Sequence, residues 1–170
     1  MKVVLRGEIG SGKSTVVREA MRQLGWVEPA GFFTHWAGAE RGAEVLHAET
    51  WAGARRPMAR RMAAPALPGG SPYRLEEDFA RIAIASFSGA DPARPVVLDE
   101  LGAIELGSAA FAAAVAELFR GPAPVLAVIQ RRALDRWMER IGRERVTHLL
   151  DVDPVARAGL SRTIAALFRA

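Results

Sequence analysis

Residues 7–14 read Gly7-Glu8-Ile9-Gly10-Ser11-Gly12-Lys13-Ser14, a full match to G-x-x-x-x-G-K-[ST]. The apolar run at residues 3–5 precedes them, and from Lys13 a helical pattern follows, with Val16, Val17, Ala20, Met21 and Leu24 on one side and Gly25 as its stop. A chain with strand, glycine loop and helix in this order is committed to a narrow set of folds. The glycines let successive N–H groups turn inward toward phosphate oxygens, and the positive end of the helix adds to the field. Lys13 is placed to reach the β- and γ-phosphates as a point charge, and the Ser14 hydroxyl to ligate a bridging magnesium ion. The nucleotide-binding set is therefore Gly7, Glu8, Ile9, Gly10, Ser11, Gly12, Lys13, Ser14 and Thr15, with Thr15 already inside the helix.

The rest of the chain alternates strands and helices. Residues 26–52 carry Trp26, Phe32, Phe33, Thr34, Trp36, Val45, Leu46, Thr50 and Trp51, broken by Gly38 and Gly42, and predict a hairpin. Residues 53–72 are rich in arginine, alanine, proline and glycine, which predicts a mobile loop. A helix is predicted over 75–87, and Pro95-Val96-Val97-Leu98-Asp99-Glu100 is a buried-strand run ending in two carboxylates. Ser108 caps a predicted helix reaching Phe119, residues 125–129 form another strand, and Leu134, Trp137, Met138 and Ile141 fall at helical spacing. Residues 148–152 predict the last strand, before a helix with Val155, Leu160, Ile164 and Leu167. Such alternation implies βαβ crossovers, hence a mostly parallel sheet covered on both faces and a single domain spanning residues 1–170.

Composition removes several alternatives. No apolar run approaches the roughly 20 residues of a membrane-spanning helix, so no membrane role is expected. The chain has no cysteine, which excludes disulfides, thiolate metal sites and cysteine nucleophiles. Its first residues lead straight into a strand without a signal-peptide pattern, so a cytoplasmic location is expected. The net charge of +4 is a weak argument for nucleic acid as a partner, and Lys2 and Lys13 are the only lysines among 23 basic residues.

An apolar strand ending in Asp99-Glu100 is the pattern of a Walker B element: Asp99 is the expected metal acid and Glu100 the expected base for a water aimed at the γ-phosphate. Asp99-Glu100-Leu101-Gly102 also fits the D-x-x-G of GTPases, but no N-K-x-D follows, so strict guanine specificity is unsupported. Two other readings stand beside hydrolysis. One is a small-molecule or nucleoside kinase, with Asp99 or Glu100 activating an acceptor hydroxyl and residues 55–61 acting as a lid; the other is a slow nucleotide-dependent switch acting on an unknown protein partner.

With Gly31-Phe32-Phe33-Thr34, Tyr73-Arg74-Leu75 and Asp99-Glu100-Leu101-Gly102-Ala103-Ile104-Glu105-Leu106 following the glycine loop in this order, residues 1–150 resemble the small nucleoside-triphosphatase family first described in thermophiles, which includes the cancer-related nucleoside triphosphatase. The resemblance implies a RecA-like P-loop fold, a three-layer α/β sandwich with a mostly parallel central sheet and a small β-hairpin insertion. It also implies slow, magnesium-dependent hydrolysis of ATP, GTP and other nucleoside triphosphates to the diphosphate and phosphate, with loose base preference. Lys13 and Glu100 carry over as catalytic, Ser14 and Asp99 as metal contacts, and Glu105 as a supporting carboxylate.

Several positions depart from the family pattern. His35-Trp36-Ala37-Gly38 stands where an acidic residue and an arginine are usual, Ala103 replaces a common lysine, and Gln130-Arg131 stands where histidine often precedes arginine. Gln130, at the tip of its strand, is a candidate sensor for the attacking water, and Arg131 or Arg132 a candidate source of charge for the transferring phosphate. Phe32, Phe33, Trp36 and Tyr73 are candidate stacking partners for a base, while His35, His47 and His148 lack metal-ligand spacing and are read as structural.

Overall fold

A computed structural model describes residues 1–36, 44–63, 71–89, 91–153 and 157–170. The strands are β1 (Lys2–Gly7), β2 (Ala30–Trp36), β3 (Val45–Thr50), β4 (Arg55–Arg61), β5 (Tyr73–Leu75), β6 (Val96–Leu101), β7 (Val125–Gln130) and β8 (His148–Asp151). The helices are α1 (Lys13–Leu24), α2 (Phe79–Ala85), α3 (Ala109–Arg120), α4 (Leu134–Ile141) and α5 (Leu160–Arg169). All eight strands join one sheet in the order β5-β4-β3-β2-β6-β7-β1-β8. From β2 to β8 the neighbours are parallel; from β2 to β5 they are antiparallel.

The central strands read as unbroken apolar runs because helices cover both faces. Val4, Leu98, Ala127 and Ile129 face α2, α3 and α4, whereas Val3, Leu5, Val97, Leu126 and Val128 face α1 and α5. Phe111 of α3 anchors the first layer, with Phe32, Phe79, Phe87 and Trp137 arranged around its ring. Truncating a buried aromatic of this kind to alanine costs about 3–5 kcal/mol. The Ser108 side chain accepts a hydrogen bond from the Phe111 N–H and so caps α3, as its position predicts.

Three expectations are corrected. Residues 53–72 are not simply a loop, because Arg55–Arg61 is strand β4. Its arginines point to solvent, while Met58 and Ala59 are fully buried. Charge at both ends hides a short apolar centre. The ladder between β3 and β4 slips beside Pro57, leaving Met58 with no residue opposite it on β3, an irregularity of the kind that accommodates proline. The helix predicted over 75–87 is shorter: Tyr73–Leu75 forms β5 against β4, and α2 begins only at Phe79. The last helix begins at Leu160, after a 3-10 turn at Arg157–Gly159; Val155 lies outside the described residues.

The predicted hairpin exists as β2 and β3, although its turn, with Gly38 and Gly42, lies outside the described residues. It does not stand apart from the main sheet, since β2 is also the parallel neighbour of β6. Gly31 makes that contact possible: its φ is +98°, and a side chain there would run into the Val97 carbonyl.

In this order β7 lies between β1 and β6, so Gln130 ends level with Gly7 on one side and just beyond Asp99 and Glu100 on the other. The glycine loop and the acid pair thus flank one strand tip, at the carboxyl ends of the parallel strands where such folds bind ligands.

Candidate active site

The glycine loop holds its own lysine. Gly10 and Gly12 have φ of +79° and +91°, and Gly12 turns the chain directly into α1. Lys13 is 6 % exposed; its Nζ donates to the carbonyls of Gly7 (3.1 Å) and Glu8 (2.7 Å) and lies 3.7 Å from Glu100 Oε2. The ammonium is thereby aimed across the loop toward β6 rather than into solvent. Ser14 and Thr15 are exposed at the first turn of α1, and Ile9, 52 % exposed, forms the lip of the loop.

On β6 the two carboxylates are in different surroundings. Asp99 is 3 % exposed and hydrogen-bonded to the Ser14 side chain; burial pushes its pKa up to about 6. A buried carboxylate beside a hydroxyl is an all-oxygen donor set of the kind a hard divalent cation takes when phosphates and water complete its shell. Among the described residues no group of three acidic or imidazole side chains forms an all-protein metal cage. Glu100 is half-buried, and the ladder to β7 skips it. Its Oε1 accepts a hydrogen bond from Gln130 Nε2 at 2.5 Å, and Gln130 Oε1 accepts from Arg132 Nε at 3.2 Å.

The turn after Glu100 is pinned from two directions. Glu105, 3 % exposed, accepts from the Gly102 N–H at 2.8 Å, and Trp137 Nε1 donates to the Gly102 carbonyl at 3.0 Å. Burial pushes the Glu105 carboxyl up to about 7. A methyl group on Gly102 would lie 2.8 Å from the Gln130 amide, so glycine is what lets Gln130 rest against this turn.

Lys13, Ser14, Asp99, Glu100, Glu105 and Gln130 all line one cleft of about 1220 Å³, and Trp36 and Tyr73 line it too, their rings 4.9 Å apart. Of the other aromatic candidates, Phe32 is buried in the core and Phe33 lies under Arg18 and against Trp51. Arg131 does not face the cleft: its guanidinium is held by Glu8 (3.0 Å) and Asp151 (3.1 Å). Arg132 and Arg136 occupy the cleft wall instead. His35, read as structural, also lines the cleft, with its Nε2 3.0 Å from Glu49. Arg55 and Arg60 pair with Glu49 and Glu76 away from it. Sequence reasoning missed the roles of Gly102 and Trp137 in fixing the acid pair, and missed Arg136 on the cleft wall. The glycine two residues after Glu100 was the one available signal.

The sequence pattern of the NTPase family matches residues 2–165. The chain belongs to this NTPase family. Similarity to individual NTPases extends over the same length. The chain is 29% identical over 178 residues to "Nucleoside-triphosphatase THEP1" of Methanosarcina barkeri (strain Fusaro / DSM 804), covering 99% of this chain and 98% of that protein. The crystal structure of THEP1 from the hyperthermophile Aquifex aeolicus superposes with a TM-score of 0.79 at 25% identity, over 100% of both chains. The solution structure of a human cancer-related nucleoside triphosphatase superposes with a TM-score of 0.70 at 24% identity, over 99% of this chain and 95% of that one, and supports the fold. The α/β arrangement with an eight-stranded, mostly parallel sheet is thus that of P-loop NTPases, and the chain is an NTPase with a nucleoside triphosphate as its substrate class.

Proposed function

We propose that the whole chain acts as one unit that hydrolyses ATP, GTP and other nucleoside triphosphates to the diphosphate and phosphate, with magnesium and with loose base preference. The observation that carries this reading is the Lys13–Glu100 approach, with the lysine locked by loop carbonyls and the glutamate locked by Gln130. In this reading the N–H groups of residues 7–15 and Lys13 bind the phosphate chain, and Asp99 with Ser14 holds the magnesium ion. When bound there, magnesium neutralises charge on the β- and γ-phosphate oxygens.

Glu100 accepts a proton from the attacking water as its oxygen bonds to the γ-phosphorus and the bond from that phosphorus to the β–γ bridging oxygen breaks, releasing the diphosphate; Gln130 keeps the carboxylate turned toward that water. Little covalent work falls to the protein; positioning and charge supply most of the acceleration. Arg132, behind Gln130, is better placed than Arg131 to act on the cleft. The absence of an N-K-x-D element argues against strict guanine specificity, and nucleoside triphosphates as substrates favour a cytoplasmic setting.

Phosphate release from ATP, GTP, CTP and UTP, with and without magnesium, tests the reading against Lys13→Ala. Similar magnesium-dependent rates across the bases, abolished by the substitution, support it; tight binding without release contradicts it. A kinase reading draws on one further observation, the extension of the cleft past Glu100 to Trp36 and Tyr73. It requires turnover that rises only when an acceptor alcohol is present.

A further inference from the structure

The glycine loop is approached from both flanks of β1. On the β7 side stand Lys13, Asp99, Glu100 and Gln130. On the β8 side the chain returns in the turn Arg157–Gly159, and Arg157 reaches back onto the loop. A methyl group on Gly12 would lie 2.4 Å from Arg157 Nη1 and 3.3 Å from its Cδ, so the guanidinium rests directly on the residue that opens α1. Arg157 is exposed, and none of the ion pairs among the described residues involves it. On the same flank Asp151 pairs with Arg6 and Arg131, and Glu8 pairs with Arg131. A surplus cation therefore sits on the rim of a loop whose backbone donors already favour anions.

We infer that Arg157 is a nucleotide-binding residue that contacts the phosphate chain at its nucleoside end. The inference rests on the nucleotide reading of the loop. The γ-phosphate belongs where Lys13, Asp99 and Glu100 converge, on the β6 side; a phosphate chain crossing Gly12 from there leaves toward β8, where Arg157 waits. Its planar fork of donors matches two phosphate oxygens. Arg157 does not line the cleft that holds Glu100, which places it apart from the acid pair. A contact to phosphates shared by substrate and product binds ground state and transition state alike, which changes KM rather than kcat.

The test measures magnesium-dependent binding of ADP and of the non-hydrolysed analogue AMP-PNP, together with kcat and KM for ATP, in wild type, Arg157→Ala, Arg157→Lys and Lys13→Ala. Arg157→Ala is expected to weaken ADP and AMP-PNP equally, by about tenfold or more, the loss of a charge-assisted contact at an exposed site. KM rises by a similar factor, kcat holds, and Arg157→Lys recovers part of the affinity. Unchanged binding in Arg157→Ala, with Lys13→Ala impaired, overturns the inference. So does a loss confined to AMP-PNP, or a fall in kcat at constant KM, either of which moves the contact to the γ-phosphate. If wild type itself binds neither nucleotide, the reading of the loop fails, and this inference falls with it.

Discussion

Replacing Glu105 with glutamine isolates the energetic cost of a buried carboxyl that holds the turn after the acid pair. In the folded chain this group titrates at about 7, against 4.5 for a free glutamate. Between those values the folded protein keeps a proton that the unfolded chain releases, so stability is fully present below 4.5 and is lost as pH rises through 7. At 1.36 kcal/mol per pKa unit the full loss is about 3 kcal/mol, of which under about 1 has occurred by pH 5. Glutamine has the same shape, keeps an oxygen to accept from the Gly102 N–H, and does not titrate. Any fixed cost of burying its NH2 applies at every pH and cancels in the comparison. Asp99, also pushed up to about 6, remains in both proteins and contributes equally. Urea unfolding at pH 5 and pH 8 should therefore show Glu105→Gln losing about 2 kcal/mol less than wild type across that interval. That is a midpoint difference of about 1 M for a slope near 2 kcal/mol/M. Identical losses in the two proteins would refute the claim that a neutral, buried Glu105 supports the site.

Two smaller changes probe the acid pair and its rim. Gly102→Ala places a methyl group 2.8 Å from the Gln130 amide; displacing the hydrogen bond to Glu100 should lower kcat by about tenfold or more while KM moves little, as steady-state hydrolysis will show. Arg131→Ala removes exposed pairs to Glu8 and Asp151, so kcat should stay within about twofold of wild type and stability should fall by no more than about 1 kcal/mol, read from phosphate release and urea melts.

The parts of the molecule legible in the sequence are those written in consecutive residues. Residues 7–14 carry a loop, its lysine and a helix start in one stretch, and Val96-Val97-Leu98-Asp99-Glu100 carries a buried strand with its acids at the end. Strand β4 escaped because Met58 and Ala59, its buried centre, are bracketed by arginines whose side chains leave for solvent. Strand β5 escaped because three residues are too few to show a period of two, and they run into an acidic stretch that reads as a helix start. Within the site, the unread parts are long-range. Gln130 reaches Glu100 from another strand, Trp137 reaches Gly102 from α4, and Arg157 reaches Gly12 from the far end of the chain. Such contacts depend on the sheet order, which places β7 between β1 and β6, and that order is not encoded locally. Arg131 and Arg132 are adjacent in sequence, and only their directions in space distinguish the rim from the cleft.

The central claim is that Glu100 serves the chemical step and not the binding of nucleotide. Its most direct test is Glu100→Gln, with ATP affinity measured at equilibrium and phosphate release measured under single-turnover conditions with magnesium. The account predicts affinity within about threefold of wild type, because no phosphate contact is lost, and release slower by about a hundredfold or more, the scale of a lost general base. Release at the wild-type rate, or a loss of turnover explained wholly by weaker binding, would contradict it.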